Sequence, residues 1–270
     1  MSSDNNEAAA DSVCYGFECI ENNLSQWNAS DVKLKLMQWN LDQHGGVKRF
    51  RVQGRFDPAD DAAFLRAFFE SKAVRAALPF PATMPGSLDT LPFSRLKTSV
   101  VNMSFFDKLE QCGDIVSKGG YLRKCLDDVY DDCTVNDCLR DMLVNPDSDH
   151  ADLFSPHEQN EGIFQIFKRL VIGGAMCQPD DMLSEYLAMT KRIYKGLVSV
   201  RKAHETHDVK VYSPLYLVHD DDDCMSNQSE REGGAVPLFR KRSRFNACFV
   251  AVDPKKHAVI CWYAPFVPFW

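Results

Sequence analysis

The sequence predicts an α+β fold: a single domain over residues 13–270 whose largely antiparallel sheet comes from N- and C-terminal strands around a central helical block. Three observations predict this. Period-two alternation falls in Val47–Phe56 near one end of the chain and in Val209–Val218 and the Phe245–Val252/His257–Tyr263 pair near the other. Helical periodicity is densest between them, from Ser155 to Lys202. Core material is ample, with 45% hydrophobic residues including 18 Phe and 4 Trp, so no disulfide or metal staple is needed.

Taken in order, residues 1–12 are polar and acidic and are expected to be a disordered tail. Ser30 caps a helix running to Trp39, with Leu34, Leu36, Met37 and Trp39 as its apolar positions. His44-Gly45-Gly46 is a turn. In Val47–Phe56, Phe50, Val52 and Phe56 share the buried face; Arg49, Arg51, Gln53 and Arg55 share the wet one. Asp57-Pro58 opens a helix carried by Phe64, Leu65, Phe68, Phe69 and Val74. Residues 79–92, rich in proline, form a flexible loop, and Leu96–Phe105 reads as a second strand. Leu122–Tyr130 and Thr134–Val144 read as helices, the second capped by Thr134.

Ser155, Pro156 and Glu158 make a capping box with proline at the first helical position. Ile163, Phe164, Ile166, Phe167, Leu170 and Val171 continue that helix to Gly173-Gly174, where glycine accepts the terminal conformation. Pro179, Asp180 and Asp181 open the next helix, with Met182, Leu183, Tyr186, Leu187, Ile193, Tyr194 and Leu197 as its stripe. Pro214 marks Val209–Val218 as an edge strand or a bulge. Residues 220–242 run from acidic to glycine-rich to basic and read as a flexible excursion. Asp253-Pro254-Lys255-Lys256 is the turn of a closing hairpin. The aromatic run of Trp262, Tyr263, Phe266, Phe269 and Trp270 is expected to fold back on its own domain; its alternative is a hook for a partner.

Motifs for chemistry are missing. There is no phosphate-cradling G-x-x-x-x-G-K-[ST], no G-x-G-x-x-G and no G-x-S-x-G. His204-Glu205-Thr206-His207 is one residue short of the spacing that puts two imidazoles on one helix face. Cys14/Cys19 and Cys133/Cys138 are each separated by four residues, and no C-x-x-C knuckle exists, so the ten cysteines read as free thiols in a reducing compartment. Asp127, Asp128, Asp131 and Asp132, and the run 220–223, lack EF-hand spacing and read as solvated surface. No catalytic, cofactor-binding or metal-ligating residue is assigned. The net charge of −7 argues against broad nucleic-acid binding. The start of the chain lacks secretory-signal features and no stretch is apolar enough to span a bilayer, so an intracellular protein without a membrane partner is expected. The candidate contacts for a protein partner are Lys191, Arg192, Lys195, Arg201 and Lys202, crowded at one helix end and its exit. Arg49, Arg51 and Arg55 form a second basic cluster, and Arg240–Arg244 has the look of a nuclear-import run.

NMSFFDKL (Asn102–Leu109), LRKCLDD (Leu122–Asp128), IFKRLVIGGAMCQPDD (Ile166–Asp181) and MTKRIYKGLVSVRK (Met189–Lys202) carry a family resemblance. Over residues 47–218 the chain resembles the cilia- and flagella-associated protein 300 family. The resemblance implies a non-enzymatic factor for building outer and inner axonemal dynein arms. It further implies action in the cytoplasm and at the ciliary axoneme, with dynein-arm assembly factors, axonemal dynein subunits or the intraflagellar transport machinery as partners. A stable axonemal component is the alternative reading, and an unrecognised enzyme or metal protein the third.

Overall fold

A computed structural model describes residues 15–21, 24–82, 84, 87–88, 91–174, 176–202, 209–219 and 238–267. The expected tail at 1–12, the His204–His207 tetrad and most of the 220–242 excursion lie outside them.

A six-stranded sheet organises the molecule. Its strands are β1 (Gly16–Ile20), β2 (Gly46–Gln53), β10 (Ala258–Ala264), β9 (Ala247–Asp253), β8 (Leu215–Val218) and β3 (Phe93–Leu96), in that spatial order. Every neighbouring pair is antiparallel. The architecture is therefore α+β, with the sheet assembled from both ends of the chain as expected. All seven residues of β9 are buried, because helices cover both faces of the sheet. Phe249, Ala251 and Trp262 point into one core with α2 (Ser30–Gln38), α8 (Gly162–Ile172) and α9 (Leu183–Leu197). Cys248, Val250, Val252 and Cys261 alternate to the other face, against Phe64, Leu65, Phe68 and Phe69 of α3 (Asp61–Glu70) and Val74 of α4 (Lys72–Ala77). That second core is a lattice of edge-to-face rings, including Phe50–Phe68 at 5.2 Å and Phe56–Phe64 at 4.9 Å.

Several elements differ from the sequence reading. Residues 124–130 form a strand, β4 (Lys124–Tyr130), which turns back as β5 (Cys133–Asp137). Only Cys138–Val144 is helical there (α6), and its cap is Asp137, not Thr134. The turn is made by Asp131 and Asp132, at φ 46° and 66°. Two successive positive φ values give a hairpin turn normally signalled by Asn-Gly. Residues 96–105 hold little strand; β3 ends at Leu96, and a 3₁₀ turn over Met103–Phe106 leads into α5 (Asp107–Gln111). Asp60 caps α3, accepting from Ala63 N at 3.2 Å, so the cap lies beyond Asp57-Pro58. In α2, Ala29 occupies the cap position, and Val32, Leu36 and Trp39 face inward while Leu34 and Met37 are exposed. Val209–Val218 divides at Pro214 into β7 (Val209–Val211) and β8, which belong to different sheets, and β8 is an inner strand.

The capping box at Ser155 forms, but it opens only α7 (Pro156–Gln159); α8 begins afresh after Glu161. Lys108 reaches Glu158 at 2.7 Å and holds its carboxyl down at about 2, with help from the Ser155 amide and hydroxyl. A carboxyl depressed in the folded state adds stability above its unfolded value, and that stability disappears as pH falls from 4.5 toward about 2. Glu158→Gln is therefore expected to lower stability at neutral pH and to flatten the acid limb in that window, so that its stability–pH curve converges with that of the wild type toward pH 2, as read by urea denaturation.

Gly173 and Gly174 end α8 for different reasons. Gly173 has φ 65° and ψ −162°, which only glycine adopts without strain. A Cβ on Gly174 would lie 2.2 Å from the Asn40 carbonyl, so this pair presses the helix end against the α2 exit.

Candidate functional site

The candidate surface grows from the amphipathic pattern of α9. Leu183, Tyr186, Met189, Ile193 and Leu197 face the core, which leaves Lys191 and Lys195, one turn apart, exposed on the outer face. Arg192 points elsewhere. It pairs with Asp31 in the first turn of α2, and the guanidinium hydrogen bond holds the Asp31 carboxyl below the usual carboxylate range. Of the five expected contacts, Arg192 is thus partly committed to binding α2.

Beyond α9 the chain forms β6 (Val200–Lys202), which pairs with β7 as a two-stranded ribbon separate from the main sheet. All of β6 is exposed; Val200 is 52% and Val209 40% accessible. Arg201 stands directly opposite Lys210 in the register. Like charges placed opposite each other across a ribbon repel.

The base of the ribbon is fixed. Ser199 N donates to Ser213 Oγ at 2.8 Å and Tyr212 N to Ser199 O at 3.1 Å. The Ser199 hydroxyl and the Tyr212 hydroxyl donate to Asp253 at 2.6 and 2.9 Å, and the amides of Lys255 and Lys256 donate to the same carboxylate. Burial pushes the Asp253 carboxyl up, but these hydrogen bonds outweigh it and the group sits below its ordinary value. Asp253 ends β9, so the ribbon is riveted to the β9–β10 turn. Lys195 is thereby joined by Arg49 and Lys256 from distant parts of the chain, while Arg201 and Lys202 stay on the ribbon with Lys210. A cleft of about 220 Å³ opens among Gln26, Arg49, Lys195, Ser199, Asp253 and Lys256. Sequence reasoning noted Arg49 only as part of a strand face and read Lys255 and Lys256 only as a turn; sheet register alone unites them.

The other charged groups serve the fold. Arg169 is fully enclosed and donates to the carbonyls of Ala264, Gly173 and Pro265 at 3.1, 2.6 and 3.0 Å. Glu161, 1% exposed, accepts from the amides of Ser99 and Val100 and from the Ser99 hydroxyl. Asp131 and Asp132 lie on the β4–β5 turn, not on a helix end, and pair with Arg244 at 2.6 Å and Lys241 at 3.4 Å. The basic run at 240–244 is therefore docked onto this acidic hairpin. Cys133, Cys248 and Cys261 are buried thiols, and burial pushes Cys133 up to about 11. Cys125, Cys138 and Cys177 are half-buried free thiols. Among the described residues no group of three or more His, Cys, Asp or Glu side chains is placed to hold a metal ion, and no helix is long and apolar enough to cross a membrane.

The chain is similar to a "Cilia- and flagella-associated protein 300" of Chlamydomonas reinhardtii, with 30% identity over 253 residues, 91% of this chain and 95% of the relative. A protein of the same name from Paramecium tetraurelia is 30% identical over 182 residues, 67% of this chain and 71% of its own length. No solved structure matches. The family described as "Cilia- and flagella-associated protein 300" matches residues 14–264, wider than the 47–218 span of the sequence resemblance and including both closing strands. With that coverage, the chain belongs to the cilia- and flagella-associated protein 300 family.

Proposed function

We propose that this protein is a non-catalytic adaptor for the assembly of outer and inner axonemal dynein arms, working in the cytoplasm and at the cilium. Its partners on this reading are dynein-arm assembly factors, axonemal dynein subunits or the intraflagellar transport machinery. The observation that carries the contact reading is the exposed ribbon of β6 and β7, held at its base by Ser199, Tyr212 and Asp253, whose Val200 and Val209 are exposed and whose Arg201, Lys202 and Lys210 have no acidic partner among the described residues. Family membership supports the ciliary setting, and the resemblance supports dynein arms as the cargo.

Deletion in a ciliated cell is expected to remove both rows of arms in axonemal cross-sections and to stop beating. Re-expression of the wild-type chain restores them. A charge-reversed chain (Lys191→Glu, Lys195→Glu, Arg201→Glu, Lys202→Glu) restores them poorly although its melting temperature is unchanged. Intact arms after deletion would exclude the adaptor role. Retention of the protein on salt-washed axonemes, instead of in the cell-body fraction, would favour the stable-component reading.

A further inference from the structure

We infer that the cleft beside the ribbon is the anchoring site for a carboxylate side chain on an extended, acidic segment of a protein partner, whose flanking residues run along β6 and β7. This rests on the adaptor reading and names the chemistry of the partner. The cleft presents three cations, Arg49, Lys195 and Lys256, against one carboxylate, Asp253. That carboxylate is saturated: Ser199, Tyr212, the Lys255 amide and the Lys256 amide and ammonium occupy its oxygens. Arg49 and Lys195 have no acidic partner among the described residues. A guanidinium fork beside an ammonium suits the bidentate geometry of a carboxylate. Gln26 adds an amide donor to the wall.

Size points the same way. At about 220 Å³ the cleft falls below the roughly 300–1,000 Å³ of pockets that enclose whole small molecules, but it admits one side chain. The ribbon supplies the rest of the argument. Arg201 is the register partner of Lys210, and an anionic strand alongside would relieve the repulsion of these like charges. Val200 and Val209 offer apolar contact to alternate residues of that strand. The chain as a whole carries −7, so an acidic partner is not drawn in from a distance, and recognition depends on this one locally cationic face.

The test uses the purified full chain and fluorescence anisotropy with a fluorescein-labelled peptide of alternating glutamate and valine. The matched glutamine–valine peptide and inorganic phosphate serve as comparison arms. The glutamate peptide is expected to bind, and added salt to weaken it. Arg49→Gln and Lys195→Gln should each reduce affinity about tenfold, the loss of one charge-assisted hydrogen bond. Lys72→Gln and Lys118→Gln, removing equal charge elsewhere, should leave it unchanged, with melting temperatures equal throughout. Equal binding of the glutamine peptide, equal loss from the distant lysines, or full displacement by phosphate at low concentration would overturn the inference. The two readings fail separately. No peptide binding alongside arm loss in the deletion strain sinks only the inference; peptide binding alongside intact arms sinks only the adaptor role.

Discussion

Asp137→Ala is expected to lower the unfolding free energy by about 3–5 kcal/mol, the range seen when one member of a buried ion pair is removed. Asp137 is fully buried and does two jobs at the start of α6. One oxygen accepts from the Arg140 amide at 2.8 Å and caps the helix; the other meets the Arg140 guanidinium at 2.5 Å. Arg140 is itself only 2% exposed, and its remaining donors go to Val171 O at 2.6 Å and Tyr186 Oη at 3.1 Å. Alanine would strand that guanidinium in the interior without a counter-charge and open the helix start. Burial opposes the charge of Arg140, but Tyr186 and Asp137 outweigh that cost and hold it firmly protonated, while burial lifts the Tyr186 phenol to about 12. The double variant Asp137→Ala/Arg140→Met should recover part of the loss, because an apolar side chain leaves no charge to satisfy. Urea denaturation of both singles and the double measures the coupling. A loss under about 1 kcal/mol in the single variant would mean that the arginine finds water.

Trp262→Ala is expected to cost a similar amount, about 3–5 kcal/mol, through the cavity it leaves. Trp262 is 1% exposed, stacked on Phe249 at 5.1 Å and edge-on to Trp27 at 5.2 Å. Trp262→Phe should cost much less, since most of the ring volume stays. Thermal denaturation of the pair distinguishes lost packing from a misfolded chain. The neighbouring aromatics are equally enclosed: Tyr263 stacks on Phe239 at 5.3 Å and donates to Leu238 O at 3.0 Å, and Phe266 is 2% exposed. These residues fold back on their own domain as expected, which removes them as a hook for a partner; Phe269 and Trp270 lie outside the described residues.

Where the sequence was readable, a local rule and a buried face agreed. The alternation of β2, the capping box at Ser155, the stripe of α9 and the β9–β10 hairpin are such cases. The hairpin of β4 and β5 was not readable, because Cys125, Leu126 and Val129 continue from Leu122 at helical spacing although they belong to a strand on the surface, where Leu126 is 91% exposed. Its turn is made by two aspartates in positive-φ conformations with no glycine to announce it. The long helix expected from Ser155 failed at Asn160 and Glu161, where Lys97 N donates to Asn160 O at 3.0 Å and Gly162 N to Lys97 O at 2.7 Å. Such competition from a distant strand exit leaves no local trace. For the surface, the cations of α9 and β6 could be found as a cluster, but its depth could not. Arg49 and Lys256 reach it only because β2 and β9 flank the same strand.

That strand, β10, is also the last of the described strands in chain order, yet it sits in the middle of the sheet, joining β1 and β2 to β9, β8 and β3. A growing chain on the ribosome can therefore make two half-sheets but cannot close them until β10 emerges. Until then β2 and β9 each present a bare hydrogen-bonding edge, a template for pairing with the wrong chain. A chain truncated before Ala258 would lose the joining strand, dividing the sheet and not merely trimming it.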